Sequence, residues 1–433
     1  MKSILKRNPL KNNTTSVNYA ESYLKKHTKG LPYIQEPPSK GLKYIVTIPA
    51  YIETRLIESL VSLFSCVPPS FHVEVIVAIN WPENDSPENR DLSLLITENV
   101  KSWIEKNTSG WINFQYIILP DVPARVAGVG YARKEAMDEA VRRFREAGQQ
   151  DGIIISFDGD TICDSDYFTA LESHFNNNPD TDGCTVYFEH PCKGDLFPEV
   201  IYKGIMQYEL HLRYYLSGLR YTGFPNAFFT VGSAFAVRER SYCQQGGMNT
   251  RKAGEDFYFL QKLFDLGKFS ELNTTRVIPS PRPSLRVPFG TGASISAFIN
   301  GENSINSYNP ELFEILKKLF EKIPVNKEDE LKIININPVL NSFLESSGFY
   351  NSMEEIRQNS AGISSFRKRF FRYFNMFRIL KFLNYSREFY PDIPVSICAQ
   401  LFLRKTGYEY IPDEPENLLE IFRIKDRGII PQQ

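Results

Sequence analysis

Two aspartates separated by a single glycine, Asp158 and Asp160, directly follow the apolar run 153–155. Carboxylates at positions i and i+2 of a turn can hold one divalent cation, and the small Gly159 lets the backbone turn tightly between them. Such a cation would bridge the phosphates of a nucleotide and neutralise the charge of the leaving group. Without a cation, two acids at the end of a buried strand would repel each other. We therefore predict that Asp158 and Asp160 bind Mn²⁺ or Mg²⁺.

Two more aspartates, Asp164 and Asp166, follow shortly and precede a predicted helix over 167–175. An acidic residue directly before an apolar helix face is typical of a helix N-cap. We therefore expect these two acids to start that helix rather than to join the cation site.

The elements that must position the acids alternate along the first part of the chain. Strands are predicted over 43–49, 73–80, 112–120 and 152–157, and helices over 53–66, 90–106 and 128–148. This alternation predicts an α/β fold with a mostly parallel sheet that helices cover on both faces. Ligands of such sheets bind beyond the carboxyl ends of the strands, where the acids lie.

The remaining sequence indicates a change of architecture. After residue 180 strands and helices are mixed, and from about residue 300 the pattern predicts helices without intervening strands. We expect an N-terminal extension over 1–40, an α/β domain over 41–300 and an all-helical C-terminal region over 301–433.

Length and composition restrict the class of protein. A chain of 433 residues, 42% hydrophobic and 23% charged, is typical of a globular protein with two domains or one large domain with an appendage. Lysine plus arginine (50) balance aspartate plus glutamate (51), so no basic field favours a nucleic-acid partner. The six cysteines lack metal-binding or redox spacing, and neither a signal peptide nor a membrane span is predicted. We expect a cytoplasmic protein with reduced thiols.

Four segments in this order resemble motifs of the family-2 glycosyltransferases of the GT-A fold. They are VTIPAYIE (46–53), GVGYARKEAMDEA (128–140), FDGDT (157–161) and GEDFYF (254–259), the last shortly after GGMN (246–249). The resemblance covers about residues 43 to 292. It implies a nucleotide-binding half over 41–160, an acceptor half over 161–300, and a nucleotide-diphosphate sugar as donor.

The resemblance also implies a nucleoside pocket in the first loop. Pro49, Ala50, Tyr51 and Glu53 would form it, with Tyr51 near the base or, alternatively, packed locally. The family often has an aspartate at the end of the second strand, whereas this chain has Asn80 there, with Asp85 further on. The identity of the base is therefore not predicted.

Basic residues are expected to bind the nucleotide. Arg125 and Lys134 are candidates for contacts with its phosphates or base, although either could be an ordinary surface charge. Arg282 and Arg286 precede a Gly-Thr-Gly turn at 290–292. Arginine suits a diphosphate through bidentate contacts, and glycines let backbone N–H groups approach it. We expect a loop that closes on the nucleotide, the alternative being a plain surface turn.

Inverting sugar transfer needs a base that takes the proton of the acceptor hydroxyl. By the resemblance, Asp256 has this role, Glu255 supports it on the acceptor side, and Asp158 also approaches the ribose or donor sugar. Acids are also favoured in the first turn of a helix by its dipole.

These residues predict a non-processive, metal-dependent glycosyltransferase, because the Gln-x-x-Arg-Trp motif of processive members is missing. The acceptor would be a glycan or a lipid-linked molecule, and the stereochemistry would be inverting. Alternatives are a retaining transferase, a phosphatase or nucleotidyl transferase that uses Asp158, and a scaffold that binds a nucleotide or glycan without turnover. Haloacid-dehalogenase phosphatases carry a similar motif on an early strand, whereas here three strands and three helices precede it.

The segment 365–388 combines basic residues with apolar residues at helical spacing. It could lie on an anionic membrane surface, which would place the enzyme at the inner face of a membrane. The alternative is a helix that packs inside the C-terminal region with a basic outer face. This alternative is favoured because basic residues also occur on the apolar flank.

Overall fold

A computed structural model describes residues 19–28, 30–284, 290–302, 304–324 and 335–428 of the protein. The strands are β1 (Leu42–Ala50), β2 (His72–Pro82), β3 (Ile112–Val122), β4 (Ile153–Ser156), β5 (Ile162–Cys163), β6 (Gly183–Phe188), β7 (Phe235–Arg238), β8 (Phe269–Ile278), β9 (Asn306–Ser307) and β10 (Ile393–Pro394). The larger helices before residue 300 are α1 (Tyr19–His27), α2 (Leu56–Phe64), α3 (Pro87–Lys106), α4 (Val129–Glu146), α5 (Tyr167–Asn177), α6 (Glu199–Tyr221), α7 (Glu239–Gln244), α8 (Glu255–Phe264) and α9 (Thr291–Ala297). Those after residue 300 are α10 (Glu311–Glu321), α11 (Pro338–Ser346), α12 (Phe349–Gln358), α13 (Ile363–Tyr373), α14 (Met376–Tyr385), α15 (Val395–Lys405) and α16 (Pro415–Asp426).

Eight strands form one sheet in the order β3-β2-β1-β4-β7-β6-β8-β5. The first four are mutually parallel, in the order that nucleotide-binding half-sheets use. Strand β7 runs antiparallel to both neighbours, and β6 and β8 are parallel to each other. The predicted fold class, a mostly parallel α/β sheet flanked by helices, is confirmed.

The central strands form because their sequences are nearly continuous apolar runs, interrupted within 44–48 by Thr47, which is buried and donates to the Ile155 carbonyl. Residues 44–48, 75–79 and 153–155 are buried on both faces of the sheet. A run that is apolar at every position is typical of a parallel strand covered on both sides. The buried face of α4 packs against β1 and β2, which fixes the N-terminus of this helix at the carboxyl edge of the sheet.

The C-terminal helices share one hydrophobic core with the sheet domain. Helices α15 and α16 pack against α6. The region was predicted to be all-helical, and the structure adds one short antiparallel pair between β9 and β10. No helix within the described ranges is long and apolar enough to cross a lipid bilayer.

A buried network of charges joins α16 to α6. Arg213, fully buried, donates to Glu209 at 2.8 Å and to Asp426 at 2.6 Å. Glu209 also accepts from Arg423 at 2.8 Å. Because removing one member would leave a buried charge unpaired, these contacts fix α16 in one position on α6.

The basic segment 365–388 forms two helices, α13 and α14, rather than one. The chain breaks at Asn375, whose side chain accepts a hydrogen bond from the Arg378 N–H and so caps α14. Phe366 and Phe370 are buried in the core, and Phe377 packs against Phe257. These apolar side chains are therefore used in packing within the chain.

Replacing Gly218 with alanine tests this packing. A methyl group on Gly218 of α6 would lie 2.6 Å from the ring of Phe313 in α10, well inside van der Waals contact. Because overpacking a core costs about 1–3 kcal/mol, we expect the urea midpoint of unfolding to fall accordingly. Gly110→Ala is the control, since a methyl group there meets nothing within 4 Å. Equal midpoints for the two variants would contradict the position of α10 on α6.

Candidate active site

The carboxyl ends of β1, β2, β4 and β6 meet at one edge of the sheet, because these strands run in the same direction. Tyr51 and Asp85 follow β1 and β2, while Asp158 and His190 follow β4 and β6. A cavity of about 750 Å³ opens beside this edge, and the pair Asp158 and Asp160 and the pair Glu255 and Asp256 line it. Acids that are about 100 residues apart in sequence thus share one cavity.

Two motif segments meet at the N-terminus of α4. Gly130, in the first turn of α4, lies so close to the segment 249–255 that an added methyl group would be 2.2 Å from the Arg251 carbonyl oxygen. This close approach places the first turn of α4 beside the acids at the start of α8.

Arg133 lies at the centre of the acids, and the sequence analysis did not single it out. Its guanidinium is buried, with 2% of the side chain exposed, and contacts Asp158 at 2.9 Å and Glu255 at 3.3 Å. It also donates to the Gly232 carbonyl at 2.7 Å and to Ser156. Arg133 therefore holds the acids of two distant motifs against each other.

Asp256 faces the cavity next to this arginine. Its Oδ1 accepts the N–H of Phe257 at 2.7 Å. A methyl group on Gly232 would lie 3.0 Å from both Asp256 Oδ2 and Arg133 Nη2. Oδ2 thus lies beside the same stretch of backbone as the guanidinium, in the wall of the cavity.

A second arginine joins the remaining acids. Arg282 Nη2 lies 2.9 Å from Glu53 and 3.2 Å from Asp160. Its Nε is buried and has no hydrogen-bond partner among the residues that the structure describes. This N–H is an unused donor from which an anion could accept a hydrogen bond. Arg286, the other arginine predicted in this loop, lies outside the described residues.

Burial and mutual repulsion raise the pKa of several acids. Burial, followed by the charge of Glu255, raises the pKa of Asp256 to about 7. Burial, followed by the charges of Glu53 and Asp158, raises the pKa of Asp160 to about 7. Burial also raises the pKa of Glu255. The cluster therefore holds more negative charge than its two arginines compensate.

The carboxylates suit a divalent cation that a ligand helps to coordinate. Asp158 and Asp160 each use one oxygen on an arginine, and the other oxygen of each has no partner in the described part of the chain. No three His, Cys, Asp or Glu side chains in the described ranges are grouped as a complete metal site. Mg²⁺ commonly binds through one or two carboxylates with phosphates and water completing its shell. The residues fit a cation of this kind.

A polar cluster lies at the ends of β1 and β2. Tyr51 Oη donates to Asp85 at 3.0 Å, and the Asn89 side-chain amide donates to Asp85 at 2.9 Å and to Tyr51 at 3.3 Å. Pro49 and Ala50 are buried in β1 directly before this cluster. The cluster offers an aromatic ring and hydrogen-bonding groups together, as recognition of a base requires.

Three further residues were predicted to contact the nucleotide, namely Asn80, Arg125 and Lys134. The side chain of Asn80 is buried and lies 3.5 Å from the Gly128 carbonyl. Arg125 is exposed and makes no hydrogen bond or ion pair within the described residues. Lys134 instead pairs with Asp138, in a cluster with Tyr23 of α1, so the structure does not bring it to the cavity.

Asp164 and Asp166 do not line the cavity. Asp164 pairs with Arg276 at 3.1 Å. Asp166 occupies the N-cap position of α5, but its carboxylate accepts from Thr275 at 2.7 Å instead of from the helix N–H groups. Asp166 therefore stands at the start of the helix, as predicted, although its side chain bonds strand β8 rather than the helix N–H groups.

Several aromatic side chains line the same cavity. Tyr208 and Tyr215 of α6, Tyr258 of α8 and Phe377 of α14 line it. Phe377 packs on Tyr258 with ring centroids 4.5 Å apart. Helix α14 of the C-terminal region therefore contributes to the wall of the cavity.

No family model and no curated protein sequence matches the chain. The structure is similar to that of residues 1–349 of TarS from S. aureus, with 13% identity, a TM-score of 0.36 and coverage of 89% of this chain and 92% of that chain. It is also similar to mannosyltransferase PcManGT from Pyrobaculum calidifontis in complex with GDP-Man and Mn²⁺, with 11% identity, a TM-score of 0.35 and coverage of 96% and 93%. A third similar structure is glucosyl-3-phosphoglycerate synthase from Mycobacterium tuberculosis with Mn²⁺ and UDP-glucose, with 14% identity, a TM-score of 0.34 and coverage of 62% and 84%. At such low identities and TM-scores, function must be inferred from the chain's own residues.

Proposed function

We propose that the protein is a non-processive glycosyltransferase that moves a sugar from a nucleotide-diphosphate sugar to a hydroxyl acceptor with inversion, assisted by a divalent cation. The observation that carries the proposal is the shared cavity of Asp158, Asp160 and Asp256, with Arg133 buried between the two motifs. A cation-binding pair and a separate carboxylate with a raised pKa are the groups that such a transfer requires.

The donor diphosphate would lie at Asp158, Asp160 and Arg282. The two aspartates would hold a divalent cation, which when bound supplies charge neutralisation for the departing diphosphate. The unpartnered Nε–H of Arg282 would donate to a phosphate oxygen. The nucleoside would extend toward Tyr51 and Asp85, whose hydrogen-bonding groups lie at the same edge of the sheet.

Asp256 would act as the base. Its Oδ2 accepts the proton of the acceptor hydroxyl while the hydroxyl oxygen forms a bond to the anomeric carbon. The bond from that carbon to the diphosphate oxygen breaks on the opposite face, so the configuration inverts. A carboxylate whose pKa is raised to about 7 is a stronger base than an ordinary aspartate and is still ionised in much of the population at neutral pH.

Nucleotide-dependent stabilisation tests the donor site. A ligand that binds the native state at 100 times its Kd adds about 2.7 kcal/mol of stability. We expect one UDP or GDP sugar, with Mn²⁺ or Mg²⁺, to raise the melting temperature more than either component alone. Asp158→Asn should remove the cation-dependent part of this increase, measured by differential scanning fluorimetry.

The matched control is Asp164→Asn, the same substitution outside the cavity, which should keep the full increase. No stabilisation by any nucleotide, together with phosphate-ester hydrolysis that Asp158→Asn abolishes, would favour a phosphatase instead. Stabilisation without turnover under any donor and acceptor would favour a binding scaffold.

A further inference from the structure

Two buried polar atoms without partners line the aromatic part of the cavity. His190 is 3% exposed, and its Nε2 has no hydrogen-bond partner within the described residues. The same holds for the hydroxyl of Tyr215 on α6. Because a buried polar group without a partner is costly, each calls for a ligand atom in this cavity.

The orientation of His190 is fixed by the buried charge network. Its Nδ1 lies 3.0 Å from Glu209, which also accepts the His190 backbone N–H at 2.6 Å. Burial alone would raise the pKa of Glu209, but the charge of Arg213 and hydrogen bonds from His190 and Arg423 hold it well below its usual range. The ionised carboxylate only accepts, so Nδ1 carries a hydrogen, and this bond holds the imidazole in one orientation in the lining of the cavity.

Aromatic rings surround these two atoms. Phe229, Tyr208, Tyr258 and Phe377 also line this cavity. Tyr308 contributes a further ring, 5.8 Å from that of Tyr215. Aromatic faces with a few placed polar groups are typical of sites that bind a small ring-shaped ligand.

The described lining offers no free positive charge to this ligand. Its arginines, Arg133 and Arg282, are both paired with carboxylates. Burial, followed by the charge of Arg387, lowers the pKa of His211 to about 4, so this ring is neutral at physiological pH. The acids at the near end repel anions. An acceptor carrying a phosphate or carboxylate on its reacting sugar would therefore bind poorly.

We propose that the aromatic part of the cavity binds the acceptor as an uncharged sugar ring, with His190 Nε2 and Tyr215 Oη each forming a hydrogen bond with one of its hydroxyls. This inference rests on the proposed function, since it places the acceptor beside Asp256. It makes Phe377, from the C-terminal helices, a determinant of acceptor specificity.

Saturation-transfer NMR tests the proposal with the full chain, diamagnetic Mg²⁺ and either UDP or GDP. The probes are the methyl glycosides of glucose, galactose, mannose and N-acetylglucosamine, each paired with the corresponding 6-phosphate. We expect a saturation-transfer signal for at least one methyl glycoside and a signal at least tenfold weaker for the corresponding 6-phosphate.

Variants locate the binding. Tyr215→Phe should weaken the glycoside about three- to tenfold, the effect of one neutral hydrogen bond, without lowering the melting temperature. Phe377→Ala should weaken it at least tenfold. Phe377→Leu, which retains bulk, guards against misfolding and should still weaken the glycoside. Tyr221→Phe, the same change on α6 outside the cavity, is the control.

Each outcome separates this proposal from the donor site. The acceptor proposal would be overturned if a nucleotide stabilised the protein but saturation-transfer signals appeared only for sugar phosphates, or for no sugar. The proposed donor site would not be contradicted by that result. If Tyr215→Phe and Phe377→Leu bound the methyl glycoside as tightly as the wild type does, the acceptor proposal would also be overturned. Glycoside binding without any nucleotide binding would support the sugar site while contradicting the proposed transferase.

Discussion

Replacing Asp256 with asparagine should reduce sugar transfer by about 10²- to 10⁴-fold while nucleotide binding is preserved. Asparagine matches the shape of aspartate but cannot take the acceptor proton. Asp158 and Asp160, which would bind the donor complex, stay intact. The measurement is turnover with the donor and acceptor found by screening, beside nucleotide binding by calorimetry. The nearest matched control is Asp265→Asn, directly after α8 and outside the cavity, which should retain activity.

The same variant should differ from wild type in stability with a definite pH dependence. The pKa of Asp256 is raised to about 7, above the value of about 3.9 in an unfolded chain. The folded state therefore holds this proton more tightly and loses stability as pH rises through this window. Asp256→Asn removes that loss. We expect similar melting temperatures at pH 4.5 and a higher one for the variant at pH 8, measured in EDTA.

Two results would contradict these expectations. Transfer that survives in Asp256→Asn would show that the base lies elsewhere or that the enzyme is a retaining transferase. If the melting temperature of Asp256→Asn at pH 8 were lower than that of the wild type, the ionised Asp256 would be a stabilising partner of Arg133 rather than an excess charge.

Replacing Arg133 with methionine should have the largest effect on folding. Methionine fills much of the volume but leaves Asp158 and Glu255 without their buried counter-charge. Breaking a buried ion pair in this way costs about 3–5 kcal/mol. We expect the urea midpoint to fall strongly and transfer to be lost. Arg145→Met, on the same helix with a third of its side chain exposed, should change the midpoint little.

A double variant shows whether charge is the cause. Glu255→Gln added to Arg133→Met removes one unpaired acid and should recover part of the lost stability, so that the two effects are not additive. Arg133→Lys should keep more stability than methionine but lose hydrogen bonds to Ser156 and Gly232. Additive effects of the two substitutions would mean that packing alone explains the loss.

The sheet could be predicted from sequence because each of its central strands is a short, mainly apolar segment, and the residues of the segment itself favour a buried strand. The gathering of the acids could be expected only through the family resemblance, since Asp158 and Asp256 meet through long-range packing. The motif GVGYARKEAMDEA contains Arg133, but Lys134 was the residue predicted to contact the nucleotide. The better signal was that Arg133 shares the buried face of α4 with Ala136, Met137 and Ala140. A charge on an apolar face predicts a buried partner.

Other features could not have been read from local pattern. The apolar spacing of 365–388 predicted a helix but not the break at Asn375, because the cap depends on one side chain. That spacing also gave no indication that Phe377 would pack on Tyr258, 119 positions earlier, in the wall of the cavity. The position of Asp166 at the start of α5 could be predicted, but not the hydrogen bond to its carboxylate from Thr275, which lies 109 residues later.

The attachment of α16 to Glu209 has a consequence for the timing of synthesis. Arg423 follows Glu209 by 214 residues, which a ribosome translating at about 5–20 residues per second needs roughly 10 to 40 s to add. Until then the nascent chain has the acids of the sheet edge but lacks Arg423, which together with Arg213 holds Glu209 in its hydrogen bonds with His190. The proposed acceptor site would then lack the contacts that hold His190 in position. The growing polypeptide should therefore become competent for transfer only after residues 415–426 have emerged and docked.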